Sequence, residues 1–271
     1  MNMMMTGARV AHDDPFFQVP RRAIDTSEGV VELPIMYYDT SAVFAFFLAG
    51  QERVEQVLAG TGLVPALTVG NRALVALACF EYRDTSVGVY NEAGLSVAVT
   101  RPGESQRSGG WGELLATLQQ PEQRHVAFHI LDLPVTTAAA NTAGREIWGF
   151  PKFVTDIPFR LDGREMACQV MVPGSTVPVM TLAGTMGGSV PAGPLSLALL
   201  SSREGHLCRS TVNARGATRL ALPGSVRLVV NDGDHAMGVR LRALGLENAA
   251  PLALMWTHAF QSRLNEGVDL D

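Results

Sequence analysis

"GREIWGFPKFVTDIPF", residues Gly144 to Phe159, holds the single lysine of this 271-residue chain, Lys152. The other 20 of its 21 Lys and Arg residues are arginines. A guanidinium stays charged at any accessible pH, whereas an ε-amine can lose its proton and attack a carbonyl carbon to form an imine. An ordinary lysine amine titrates near ~10.4, so that use requires surroundings that disfavour the ammonium form. Trp148, Phe150, Pro151 and Phe153 supply apolar neighbours of that kind. On the residues alone, an ordinary helix-end or strand-start charge remains an equally open reading of Lys152.

Upstream, "TTAAANTAGREIWG" has a helical pattern that stops before Pro151, because a residue preceding proline resists the α region. Downstream and on the N-terminal side the pattern changes to short β-like runs, among them "VVELPIMYY", "ALVALACFEYR", "LSVAVTR", "HVAFHILDLPV", "EMACQVMVP", "LSLALLSS" and "HAMGVRLRAL". Gly, Pro, Asn and Asp punctuate them, which predicts a β-rich barrel or sandwich rather than a βαβ alternation. Two more helices are predicted, in "TSAVFAFFLAG", capped by Thr40 or Ser41, and in "GGWGELLATLQQ". No repeat, linker or composition shift divides the chain. One domain over residues 1–271 is expected, with residues 1–20 as an extended or disordered arm.

Composition narrows the partners. The chain is 47% hydrophobic and 17% charged, with a formal net charge of -5 and arginines spread along its length. That gives no basic stripe for a nucleic-acid backbone and no polybasic membrane anchor. The N-terminal residues lack the apolar core of a secretory signal, and the longest apolar runs are too short or too interrupted to span a bilayer. Cys79, Cys168 and Cys208 lie far apart in apolar runs and read as buried thiols of a reducing compartment. A cytoplasmic protein is expected.

Two carboxylates stand at strand ends or turns, Glu81 in "FEYRD" and Glu92 in "VYNEAG". Either could move protons at an imine nitrogen or an enamine carbon, and either could equally be a solvated strand end or hairpin tip. The six histidines offer no metal spacing; His125 and His129 are four apart but lie in a strand pattern. "DGDHAM" reads as a turn. No GxSxG or phosphate-cradling glycine loop is present. No metal and no cofactor are expected.

Around Lys152 the chain resembles the acetoacetate decarboxylase superfamily, in which a lysine after an aromatic–Pro pair forms a Schiff base with a keto acid. "FEYRD", "GVYNEAG", "HILDLPVTTAAANTAGRE", "DGDHAM" and "PLALMWTHAFQSRL" extend the resemblance over most of residues 30–265. It implies an α+β, β-rich fold: a closed, cone-shaped antiparallel β-barrel with a few peripheral helices, in a homo-oligomer. It makes Lys152 the imine-forming nucleophile, Glu92 the acid–base group and Glu81 a supporting catalytic carboxylate. Phe80, Tyr82, Trp148, Phe150, Phe153 and Arg145 become candidate substrate-binding residues. Two departures qualify the likeness. Where the decarboxylase has a second lysine this chain has Phe153, and Val30 falls about where an arginine is expected, with only Arg21 and Arg22 upstream. Arg145 is the remaining candidate for a nearby cation.

The expected activity is therefore a Schiff-base lyase acting on a small oxo acid such as pyruvate, or on a ketone, most simply by aldol or retro-aldol chemistry with loss of water. Decarboxylation of a 3-oxo acid such as acetoacetate is the alternative within enzymes. A non-catalytic barrel that binds a small hydrophobic molecule is the alternative outside them.

Overall fold

A computed structural model describes residues 12–103, 121–123 and 125–270. The chain begins with a hairpin, β1 (Arg22–Thr26) and β2 (Gly29–Leu33), followed by the long strand β3 (Ile35–Gly50) and helix α1 (Gln51–Val57). Short strands β4 (Val64–Pro65) and β5 (Thr68–Val69) precede the long pair β6 (Arg72–Thr85) and β7 (Tyr90–Thr100). After β8 (Ala127–Asp132) comes helix α2 (Ala138–Trp148), then β9 (Phe159–Asp162), β10 (Glu165–Met171) and β11 (Pro178–Thr185). The C-terminal part adds β12 (Ser189–Ala192), β13 (Leu197–Arg203), β14 (His206–Arg215), β15 (Thr218–Ala221) and β16 (Arg227–Val230). Helix α3 (Ala236–Ala243), β17 (Ala253–Leu264) and β18 (Val268–Leu270) complete it.

Seven strands close into a barrel in the order β3–β6–β7–β8–β13–β14–β17, with β17 returning to β3. The pairings are antiparallel except at one seam, where β13 runs parallel to β8. A second sheet, β16–β11–β10–β9, packs on the outside of this barrel. Strand residues alternate faces, so each barrel strand feeds two cores. Phe44, Phe80, Ile130, Leu199 and Phe260 fill the interior, while Val43, Leu77, Cys79, Leu95 and Val97 meet Cys168, Met180 and Leu182 of the second sheet. Burying one such Val, Leu or Phe contributes roughly 1.5–3 kcal/mol.

This double burial overturns one expected helix. "TSAVFAFFLAG" forms part of β3, a 16-residue strand. Its apolar residues face a core on both sides, and a continuous apolar run carries no period that separates a buried strand from a buried helix. "HAMGVRLRAL" errs the other way. The Val-Arg-Leu-Arg alternation mimics a strand, yet the segment forms α3, capped by the His235 imidazole accepting from the Met237 N–H at 3.3 Å, with Met237 and Leu241 on its buried side. The helix expected in "GGWGELLATLQQ" lies outside the described residues. Of the N-terminal arm, residues 12–20 lie against the barrel, where Phe17 is buried with Met36 and Tyr38. Among the described residues no helix is long and apolar enough to cross a membrane.

Candidate active site

Helix α2 starts on the Thr137 side chain, which accepts from the Ala140 N–H, and ends at Gly149 in the left-handed region at φ 65. The chain then turns about Pro151, with the Lys152 N–H donating to the Phe150 carbonyl at 2.7 Å. This segment is held by segment 133–135, with Leu133 N–H donating to the Pro151 carbonyl at 3.2 Å and Val135 N–H to the Phe153 carbonyl at 3.0 Å. Val135 in turn bridges Glu92 on β7. Three adjacent backbones thus bring the lysine beside a carboxylate 60 residues away in sequence.

Lys152 Nζ donates to Glu92 Oε2 at 2.6 Å, with the two side chains only 6% and 9% exposed. The other carboxylate oxygen, Oε1, accepts from the Tyr82 hydroxyl at 3.2 Å. Tyr37 and Tyr90 share a hydroxyl–hydroxyl bond of 3.2 Å, and the Tyr90 ring lies 5.8 Å from the amine. Burial pushes all three phenols above their ordinary range. Glu92 adds to this next for Tyr37 and Tyr82, and Tyr37 does so for Tyr90. They remain neutral O–H groups around one ion pair.

The lysine's path is cut by glycine. A Cβ on Gly144 of α2 would fall on Cδ and Cε of Lys152. The pair opens onto a cavity inside the barrel with about 90 Å³ of free space, against the roughly 10–15 Å³ that one water needs on the same measure. Its walls are apolar, with Phe44, Phe46, Phe128, Leu197, Leu199 and Phe260 prominent.

Strand parity sorts the remaining candidates. Phe80 and Tyr82 point into the cavity, as do Glu92 and Phe150. Glu81, between Phe80 and Tyr82, takes the opposite face, where its carboxylate accepts from Arg83 at 2.9 Å and is 39% exposed. It is not brought to Lys152 and does not line the cavity where it was expected. Trp148 is buried beneath the helix end, donating from Nε1 to the Asn265 carbonyl at 3.0 Å and stacking on Phe150, without lining the cavity. Phe153 turns away to the outer core and to the His235 ring, 5.0 Å off. Arg145 donates to the Lys152 main-chain carbonyl at 2.9 Å, so it steadies the segment rather than facing the amine. Val30 is exposed, and Arg21 and Arg22 pair with Glu32 and Glu266. Tyr37 and Tyr90 were missed in the sequence, although the chain has only four tyrosines and three surround this pair. No group of three or more His, Cys, Asp or Glu residues converges as a metal site among the described residues.

A family model described as acetoacetate decarboxylase matches residues 20–229. No curated protein matches the chain. Among solved structures, acetoacetate decarboxylase from Legionella pneumophila subsp. pneumophila str. Philadelphia 1 is 14% identical, with 94% of this chain and 92% of that one aligned at a TM-score of 0.62. An acetoacetate decarboxylase-like enzyme from Sphingomonas wittichii RW1 is 12% identical, covering 89% and 94%, at 0.58. The enduracididine biosynthesis enzyme MppR, complexed with the condensation product of pyruvate and imidazole 4-carboxaldehyde, is 16% identical, covering 87% and 88%, at 0.55. At these identities the likeness shows a shared fold.

Proposed function

The chain belongs to the acetoacetate decarboxylase family, and from that premise we propose that it is a lyase working through a Schiff base on Lys152. The observation that carries this is the 2.6 Å contact between its only ε-amine and a buried carboxylate at the polar end of an apolar cavity. Glu92 Oε2 takes a proton from the Lys152 ammonium. The neutral nitrogen attacks a substrate carbonyl carbon, and the protonated Glu92 returns the proton to the carbinolamine oxygen, which leaves as water. The resulting iminium withdraws electrons from the adjacent carbon. Glu92, again a carboxylate, accepts the α-proton to give an enamine, or accepts the proton of a β-hydroxyl as the carbon–carbon bond breaks in a retro-aldol step. Run forward, the enamine adds to an aldehyde and the product loses water. Hydrolysis of the iminium frees the amine.

Two features favour aldolase–dehydratase chemistry. Phe153 stands where the decarboxylase resemblance calls for a second lysine, and its ring faces away from the amine. MppR, of the same fold, is known with a condensation product of pyruvate and an aldehyde. Family membership favours decarboxylation of a 3-oxo acid as the second reading, in which carbon dioxide leaves from the iminium adduct and the enamine carbon is protonated by Glu92.

Incubation with pyruvate, acetoacetate or simple ketones followed by borohydride tests the common step. A reduced adduct mapped to Lys152, absent from Lys152→Arg, is expected. Failure of every carbonyl compound to label Lys152 would replace the lyase with a non-catalytic binding barrel. Carbon dioxide release from 3-oxo acids, against ultraviolet-absorbing enone formation, separates the two enzymatic readings.

A further inference from the structure

The cavity also constrains what the amine can accept. Among the described residues that line it, Lys152 is the one cationic side chain. Its charge, kept in the iminium, is already balanced by Glu92 at 2.6 Å. The other polar groups are nearly spoken for: the Tyr82 hydroxyl donates to Glu92, and the Ser96 hydroxyl to the Ala76 carbonyl at 3.4 Å. Tyr37 and Tyr90 share one hydrogen bond, which leaves one hydroxyl proton between them. Ser262 pairs with Tyr37 across β3 and β17, so it stands at the same polar end. A substrate carboxylate would enter an apolar space beside the like charge of Glu92, with only neutral hydroxyls to receive it among the described lining residues. Buried charges without a partner are strongly disfavoured.

We propose that the substrate is an uncharged ketone or aldehyde bearing a hydrophobic alkyl or aryl chain, with its carbonyl at Lys152 and its chain along Phe46, Phe128, Leu197 and Leu199. The inference rests on the Schiff-base reading and narrows it, replacing a small oxo acid with a neutral, apolar carbonyl compound. Free space of about 90 Å³ is several times the roughly 10–15 Å³ that one water needs on the same measure, which leaves room for a short carbon chain. The covalent step balances without a co-reactant. The Nζ–carbon bond forms, the carbon–oxygen bond breaks, and water carries off the carbonyl oxygen with one amine proton and the proton returned by Glu92, leaving the other amine proton on the iminium.

The full chain is incubated separately with 2-octanone, acetone and pyruvate in sodium cyanoborohydride, and the concentration giving half-maximal labelling of Lys152 is read by peptide mass. Each buried methylene strengthens binding about fourfold, so 2-octanone should label at a concentration at least tenfold below acetone, and pyruvate should need more than either. Pyruvate labelling at or below the 2-octanone concentration would overturn the uncharged-substrate inference while leaving the imine intact. Equal labelling by acetone and 2-octanone would overturn the hydrophobic-chain assignment. Labelling by none of the three at Lys152 would remove the Schiff-base reading and this inference with it.

Discussion

Glu92 Oε2 lies 2.6 Å from Lys152 Nζ, and Glu92 Oε1 takes the Tyr82 hydroxyl at 3.2 Å, so one carboxylate joins the chain's only lysine to a neutral phenol. Glu92→Gln keeps the volume and the hydrogen-bond acceptor but cannot carry the proton. Borohydride labelling of Lys152 by a simple ketone should slow by on the order of 10²-fold, with a far-ultraviolet circular dichroism spectrum like the parent's. Labelling within threefold of the parent would remove Glu92 from the proton path.

Gly144→Ala tests whether the amine's position depends on the helix surface beneath it. In an ordinary helix interior, alanine is more stable than glycine by roughly 0.5–1 kcal/mol. Here the new methyl would occupy the space of Lys152 Cδ and Cε. The expected result is a thermal midpoint within about 5 °C of the parent and labelling at least tenfold slower. Unchanged labelling would show that the lysine reaches the cavity by another path.

Glu81→Gln separates the two carboxylates. Glu81 and its partner Arg83 are 39% and 35% exposed, on the outer face of β6. Such a pair is worth less than about 1 kcal/mol. Urea unfolding should shift only slightly, and Lys152 labelling should stay at the parent rate. A large loss of labelling would place Glu81 in the catalytic set.

The buried phenols make a prediction about alkaline pH. Tyr37, Tyr82 and Tyr90 are held above their ordinary value of 10.0 in the folded protein. In the unfolded chain they ionise near pH ~10. Above that pH the unfolded state binds fewer protons than the folded one, so unfolding free energy falls as pH rises, by up to about 1.4 kcal/mol per pH unit for each phenol. Below pH ~10 these groups contribute no slope. Denaturant titrations between about pH 8 and 12 should show this break, and Tyr37→Phe should make it shallower. A Tyr37→Phe slope equal to the parent's would contradict the assignment.

Local signals in the sequence were read correctly where one residue type settles the matter. Helix α2 was legible because its pattern stops where the chain cannot stay helical into Pro151. The barrel class was legible from recurring apolar runs between turn residues. Strand β3 was not, because burial on both faces erases the alternation that marks a strand. Helix α3 was not, because Arg240 and Arg242 happen to alternate with apolar neighbours. Both failures come from inferring burial from pattern when the pattern is itself set by what packs outside the element.

The sequence by itself determined that the chain holds one ε-amine in 271 residues, since composition is complete without coordinates. It also placed Phe80 and Tyr82 two apart, on one strand face. Which carboxylate meets the amine was decided only in three dimensions. Glu81 and Glu92 both end strand-like runs. The β6–β7 register sets Glu92 opposite inward-facing Phe80, whereas Glu81 takes the outer face. A shift of one residue reverses a side chain's face, and register is fixed by long-range pairing. The same pairing gathered Tyr37, Tyr82 and Tyr90 around Lys152, a neighbourhood that no local stretch of the chain encodes.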